Sequence, residues 1–281
     1  GALAAVVVRS PHAHARFSIA NLDAVRAMKG VRLAWSAADV ADLAPIPCQA
    51  LQKNADGKRM VATEYRVLAT GEVRHVGDAV AFIVARTLNE ARDAAEALDV
   101  AYEDLPVAVG AEAAMAKGAP LVWPALGTNV ALDTSIGDKA KTDAAFAKAD
   151  RVVTLKVINN RLVANYMEPR VCTAEYDTKS RQYLLTLGSQ GSHGLRDTLA
   201  RIIHGKPENI RVVTPDVGGG FGNKAFMYRE YPLLAKAARA LKKPVSWVQE
   251  RTEHFLSCAQ GRDNVTVAEM ALSKSGSFLA M

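Results

Sequence analysis

The tract Thr214-Pro215-Asp216-Val217-Gly218-Gly219-Gly220-Phe221-Gly222-Asn223-Lys224 constrains this chain more than any other stretch. A β-type run, Ile210 to Val213, enters it, and a helix-like run, Ala225 to Leu241, leaves it. Glycine adopts positive φ without strain and lets another group approach the main chain closely. Backbone N–H groups at a strand-to-helix turn are placed to hold an anionic or oxo ligand. Phe221 is retained inside the run, which suggests that something there needs an apolar wall. Two common phosphate loops fail on the residues. A phosphate-cradling loop ends in Gly-Lys-Ser/Thr, whereas here Asn223 precedes Lys224 and Ala225 follows. The dinucleotide fingerprint fails from Gly218, because Asn223 takes the third glycine position. From Gly220 that position is Ala225, which only the relaxed form allows, and residues 240 to 245 offer no acidic side chain. On composition alone, a glycine-rich turn with no ligand stands beside the ligand-binding reading.

At 281 residues the chain has length for about two domains. Its apolar fraction of 49% supports packed cores. The net charge of +6 is spread along the chain without a basic run, which reads as solvated surface and not as a nucleic-acid face. Few aromatics are available for stacking on bases. Cys48, Cys172 and Cys258 include no C-x-x-C pair, so this chain is not expected to hold a four-thiolate iron–sulfur cluster. Their pattern suggests free thiols in a reducing, cytoplasmic compartment. No apolar run is long enough to span a membrane, and no signal peptide is visible. Gly1 to Val8 reads as a strand entered midway without an initiator Met, so a start further upstream is expected.

In chain order, Ala4 to Val8 reads as a buried strand and Ser10 to Arg16 as a polar turn. His12 and His14 have no third ligand nearby and are expected to pack that loop. Spacing predicts a helix over Ile19 to Met28 ended by Gly30, a strand from Val31 to Trp35, and a short helix from Ser36 to Leu43 with Asp39 completing a capping box. Residues 45 to 60 are loop-rich. Ala79 to Ala85 reads as a strand, Thr87-Leu88-Asn89-Glu90 as a capping box opening a helix to Leu98, and Asp99 to Glu103 as a further strand. Residues 107 to 138 lack periodicity and read as a linker. A short helix is expected over Asp143 to Ala149 and a strand over Arg151 to Ile158. Val171 to Tyr176 and Tyr183 to Leu187 form an expected hairpin. A helix should run from Gly188-Ser189-Gln190-Gly191-Ser192-His193 to Ile203. Beyond the glycine tract, the pattern predicts a strand over Pro244 to Val248, a charged helix start at Glu250 and a strand from Asp263 to Leu272. The tail from Ser277 reads as the opening of that strand's partner. Cys172 reads as a small buried thiol, and His193 and His204 as helix-surface or helix-end residues.

Four segments occur in a telling order: Val8-Arg9-Ser10-Pro11-His12-Ala13-His14-Ala15, Met167-Glu168-Pro169-Arg170, Ser189-Gln190 and Asp216 to Lys224. Together they resemble the molybdenum-binding large subunit of the xanthine dehydrogenase, aldehyde oxidase and aerobic carbon monoxide dehydrogenase family. The Gly-Asn-Lys ending and Pro244-Val245-Ser246-Trp247-Val248-Gln249-Glu250-Arg251 look most like the carbon monoxide dehydrogenase-type branch. The resemblance implies an α+β fold. Residues 1 to 108 would be an α/β hammerhead domain, 109 to 139 a linker, and 140 to 281 the first part of a molybdopterin-binding domain. It also implies an oxidoreductase with a pterin-bound molybdenum, in the cytosine dinucleotide form. Such an enzyme hydroxylates an aldehyde or N-heterocycle, or oxidises carbon monoxide, with oxygen taken from water. Iron–sulfur clusters and FAD would sit on a small and a medium partner subunit, in a dimer of heterotrimers, and the absent C-x-x-C pattern fits that division.

Position by position, the resemblance matches Gln190 to the glutamine whose amide bonds the molybdenum oxo ligand, an indirect contact with the metal. A neutral amide suits that task because it donates without adding charge. Gly220, Phe221 and Gly222 match the loop whose backbone lies against the molybdenum and whose ring walls the substrate site. Two departures matter. Xanthine-oxidising members carry a glutamate where this chain has Ala225, which argues against purine-type substrates. The family's catalytic glutamate falls beyond Met281, so no catalytic residue is assigned here, and this chain alone is expected to be inactive. Glu168 is expected to be structural and paired with Arg170. The rival reading is a non-catalytic scaffold that binds a complementary subunit and no metal.

Overall fold

The computed structural model describes residues 1–281, which form two compact units. The larger takes Gly1–Gln49, Thr63–Val107 and Val163–Ala259, and the smaller takes Ala50–Ala62, Ala108–Leu162 and Gln260–Met281.

The larger unit is built on a seven-stranded mixed sheet. Its order is Ile210–Val213, Gln182–Leu187, Val171–Asp177, Val245–Val248, Leu3–Arg9, Ala79–Ala85 and Val31–Trp35. Ala79–Ala85 is apolar throughout and buried at every position, the pattern of a strand covered on both faces. Leu3–Arg9 lies antiparallel to it and parallel to Val245–Val248, so the start of the chain and a segment far along it share one sheet. The hairpin Val171–Asp177 and Gln182–Leu187 forms as the alternation predicts, and Ile210–Val213 adds parallel to its second strand.

Two helices bear on the site. Ser192–Ile202 buries Leu195, Leu199 and Ile202. The other was expected to start at Ala225, but regular helix begins at Glu230 and runs to Leu241. Residues 223 to 225 make only a 3-10 turn, because their main-chain groups are engaged elsewhere: the Tyr228 hydroxyl donates to the Asn223 carbonyl at 2.8 Å. Pro232 is tolerated because it falls in the first turn, where its missing N–H is not needed.

A second sheet places Ala15–Ile19 between Glu72–Val73 and Val100–Asp104. This corrects the polar turn and the long helix expected between residues 10 and 28. Ala15, Phe17 and Ile19 alternate and pair across to Asp104, Tyr102 and Val100, and only Leu22–Arg26 is helical. The two histidines serve this unit separately. His12 Nδ1 meets Asp104 at 2.6 Å, and His14 Nε2 meets Glu72 at 2.9 Å. Both expected capping boxes form. That of Thr87 and Glu90 opens the helix Leu88–Glu96, whereas that of Ser36 and Asp39 caps only a 3-10 turn, Ala37–Val40.

The smaller unit is a three-stranded antiparallel sheet. Asn264–Leu272 pairs along its length with Arg151–Asn159, and Phe278–Ala280 adds on its other side. Its helix spans Lys139–Phe146, four residues ahead of the expected start, because Asp138 caps it by accepting from the Lys141 N–H at 3.0 Å. Residues 107 to 138 contain a short helix, Ala111–Met115, and a 3-10 turn, Pro124–Leu126. Asn129 secures them by donating to the carbonyls of Ala114 and Pro120 at 2.9 Å each.

A buried ion network crosses the larger unit. Arg170, fully buried, donates two bonds to Glu230 at 2.9 and 3.2 Å, and its guanidinium lies 3.5 Å from the centre of the Tyr228 ring. Arg9 bonds the same carboxylate and also Glu253, the latter at 2.8 Å. Glu230, not Glu168, is therefore the partner of Arg170. Burial alone would raise the Glu230 pKa, but Arg170 and Arg9 outweigh it and hold it at about 2, against 4.5 for a free side chain. The folded value is depressed, so this stabilisation is complete above pH 4.5 and is lost as pH falls toward about 2. Glu230→Gln leaves buried Arg170 without its counter-charge. It should cost about 3–5 kcal/mol at neutral pH and flatten the acid limb of stability in that window. Urea titrations at a series of pH values measure both effects.

Candidate functional site

Parallel pairing creates the site. Gln182–Leu187 and Ile210–Val213 run in the same direction, so the loops that follow them leave from the same end of the sheet. The first loop is Gly188-Ser189-Gln190 and the second is the glycine tract. Ser189 and Thr214 lock the two together through their hydroxyls at 2.7 Å.

Gln190 is the bridge between them. Its Oε1 accepts the N–H of Gly222 at 3.0 Å and that of Lys224 at 3.1 Å, and its own N–H donates to the Lys224 carbonyl at 3.0 Å. Two main-chain donors on Oε1 fix which way the carboxamide points. The two N–H groups of Nε2 remain available on an exposed residue. A Cβ on Gly220 would overlap this carboxamide, so a side chain there would displace Gln190 from its hydrogen bonds. Gly218, Gly219 and Gly222 all have positive φ.

Phe221 departs from ordinary packing in two ways. It has φ of 48°, a left-handed conformation that is strained for a bulky side chain. Its ring is 77% exposed, although a large aromatic normally goes to the core. Its neighbour Gly222 carries the N–H that Gln190 accepts. Gln190, Gly220, Phe221 and Gly222 are therefore brought into one surface.

Beneath that surface lies a pair that sequence reasoning missed. Lys224, 1% exposed, places Nζ 3.1 Å from Glu168 Oε2, against the Val217 carbonyl and 4.7 Å from the centre of the Tyr166 ring. A lysine closing a glycine loop and a carboxylate in the Met-Glu-Pro-Arg tract were the available signals, but nothing local links them. Cys172 is fully buried, and burial pushes its thiol pKa up, as expected for a packing residue.

No group of three His, Cys, Asp or Glu side chains in this chain is placed to hold a metal ion. A metal at this wall would arrive with its own ligand set. The residues suit such a group: an oriented amide donor, main chain bare of Cβ atoms, and a ring held out of the core.

Comparison with known proteins shows the class, that of the molybdenum hydroxylase large subunits. Residues 1–106 match the aldehyde oxidase and xanthine dehydrogenase a/b hammerhead domain, and residues 122–281 match the molybdopterin cofactor-binding domain. The chain is 34% identical to the carbon monoxide dehydrogenase large chain of Afipia carboxidovorans, over 98% of this chain and 34% of that relative. Against the nicotine 6-hydroxylase large subunit of Paenarthrobacter nicotinovorans it is 30% identical, over 98% of this chain and 33% of that one. Among solved structures, quinoline 2-oxidoreductase from Pseudomonas putida 86 superposes with a TM-score of 0.88 at 34% identity, covering 99% of this chain and 35% of that one. The chain thus belongs to the family of molybdopterin-binding large subunits that includes xanthine dehydrogenase, aldehyde oxidase and carbon monoxide dehydrogenase. It spans about a third of the length of these relatives.

Two substitutions separate the roles of neighbouring loop residues. Gly220→Ala should cost about 1–3 kcal/mol, because the added methyl meets the Gln190 carboxamide. Phe221→Gly should leave stability within about 1 kcal/mol, since it removes an exposed ring and relieves left-handed strain. Thermal or urea unfolding measures both, and a larger loss for Phe221→Gly would mean that the ring is packed core.

Proposed function

We propose that the chain forms one wall of a molybdopterin site in an oxidoreductase that uses water to hydroxylate an aldehyde or N-heterocycle, or to oxidise carbon monoxide. The observation that carries this is the Gln190 carboxamide, pinned through its oxygen with its nitrogen left to donate. A molybdenum–pterin group bound there would supply the oxygen-transfer and electron-accepting chemistry. Gln190 Nε2 would donate a hydrogen bond to that group and hold its orientation without adding charge. Main chain at Gly222, where a Cβ would meet nothing within 4 Å, leaves room for the group to approach, while Gly220 leaves room for the Gln190 carboxamide. The Phe221 ring excludes water and gives the substrate a flat apolar face. Ala225 offers no carboxylate to a purine.

In this reading residues 1–108 serve as the hammerhead domain, 109–139 as a connecting segment and 140–281 as the first part of the cofactor domain. The catalytic base comes from polypeptide outside these residues. The cofactor is the cytosine dinucleotide form, and electrons leave through an iron–sulfur small subunit and an FAD-binding medium subunit. The assembly is a cytoplasmic dimer of heterotrimers. No helix of the chain is long and apolar enough to cross a membrane.

In the assembled enzyme, Gln190→Ala should lower molybdenum retention or turnover by about 10–100-fold, the usual cost of losing a group that orients a metal centre. Metal analysis with pterin extraction, alongside turnover, measures this. Unchanged metal content and activity would favour a scaffold that binds a complementary subunit. Residues 1–281 combined with the partner subunits alone should show no turnover, and activity without further polypeptide would count against the reading.

A further inference from the structure

The exit of the glycine tract holds a side-chain ion pair that the cofactor wall does not itself use. Burying an ammonium is costly unless it is paired and hydrogen-bonded. Lys224 meets that demand with Glu168, the Val217 carbonyl and the Tyr166 ring. Val217 stands at the entrance of the glycine run and Lys224 at its exit, so the ammonium clasps the loop across its mouth. The main chain of the same residue holds Gln190 from both sides, through N–H to Oε1 and through C=O to the Gln190 N–H.

Glu168 is held to the loop as well. Its N–H donates to the Gly218 carbonyl at 3.3 Å, and its side chain fills the space that a Cβ on Gly218 would occupy. Opposite, a Cβ on Gly188 would stand 3.3 Å from Lys224 Nζ and equally close to the carbonyls of Asp216 and Val217. Two glycines from different loops therefore make room for one ion pair. A neutral stem in place of the ammonium would leave the Val217 carbonyl without this donor.

From this we infer that Lys224 is the positioning residue of the loop, with Glu168 fixing its ammonium. Together they set where the Gln190 amide and the Phe221 ring are presented. The purpose of this device rests on the proposed cofactor wall, whereas its geometry does not.

Hydrogen–deuterium exchange on the full chain without cofactor tests it, read at the main-chain amides of positions 222 and 224, which donate to Gln190. Lys224→Met should raise exchange at both by about tenfold. A distant core variant, Ile83→Ala, should lower the melting temperature and leave those two amides protected relative to global unfolding. Glu168→Ala, at a side chain 40% exposed, should raise exchange at the same amides by about threefold and keeps the test open should Lys224→Met fail to fold. Wild-type protection in Lys224→Met, or in Glu168→Ala where Lys224→Met does not fold, would overturn the inference and reduce Lys224 to a stabiliser of the fold. Because no cofactor enters this measurement, its outcome is independent of the metal content of Gln190→Ala. Loosened amides with unchanged metal would uphold the clasp and sink the cofactor reading, and the converse would do the opposite.

Discussion

The alignment of two parallel strands is the constraint on which this molecule turns. Because Gln182–Leu187 and Ile210–Val213 point the same way, Gln190 and the glycine tract emerge together although 32 positions separate Gln190 from Gly222. An antiparallel arrangement would have sent the loops to opposite ends of the sheet. The polar surface then follows from local chemistry. A carboxamide needs partners for its oxygen, two main-chain N–H groups supply them, and glycine is the residue that lets the chain curl closely enough to do so.

Charge plays a different part on each side of this unit. At the loop, one lysine and one carboxylate organise flexible backbone. Further in, Arg170, Glu230, Arg9 and Glu253 join a strand from the start of the chain to a helix and a helical turn near its other end. Such buried pairs add little net stability over an apolar core, and breaking one is costly. Their contribution is geometric: the guanidinium of Arg170 admits few arrangements that satisfy Glu230 and the Tyr228 ring together.

Much of this was legible in the residues. Alternation gave the hairpin at Val171–Asp177 and Gln182–Leu187, capping boxes marked two helical starts, and four motifs in order pointed to the family. What escaped reading was decided by partners distant in sequence. Ala15–Ile19 carries a pattern that serves either helix or strand, and the strand Val100–Asp104 settles it. The delayed helix at Glu230 could not be seen, because residues 223 and 224 spend their main-chain groups on Tyr228 and Gln190. Glu168 and Arg170 were expected to pair as near neighbours, yet each found a different partner, since they occupy separate environments two residues apart.

The sheet that joins Leu3–Arg9 to Val245–Val248 also has a consequence for biosynthesis. Arg9 and Glu253 stand 244 positions apart, so the first strand leaves the ribosome long before its parallel neighbour exists. At roughly 5–20 residues per second, that interval is on the order of ten seconds or more. Once Ala79–Ala85 has been made and until Val245–Val248 follows, the strand has a neighbour on one side and a bare edge on the other, a template for unwanted association. Whatever shields that edge during translation is as much a condition for the finished site as any residue in it.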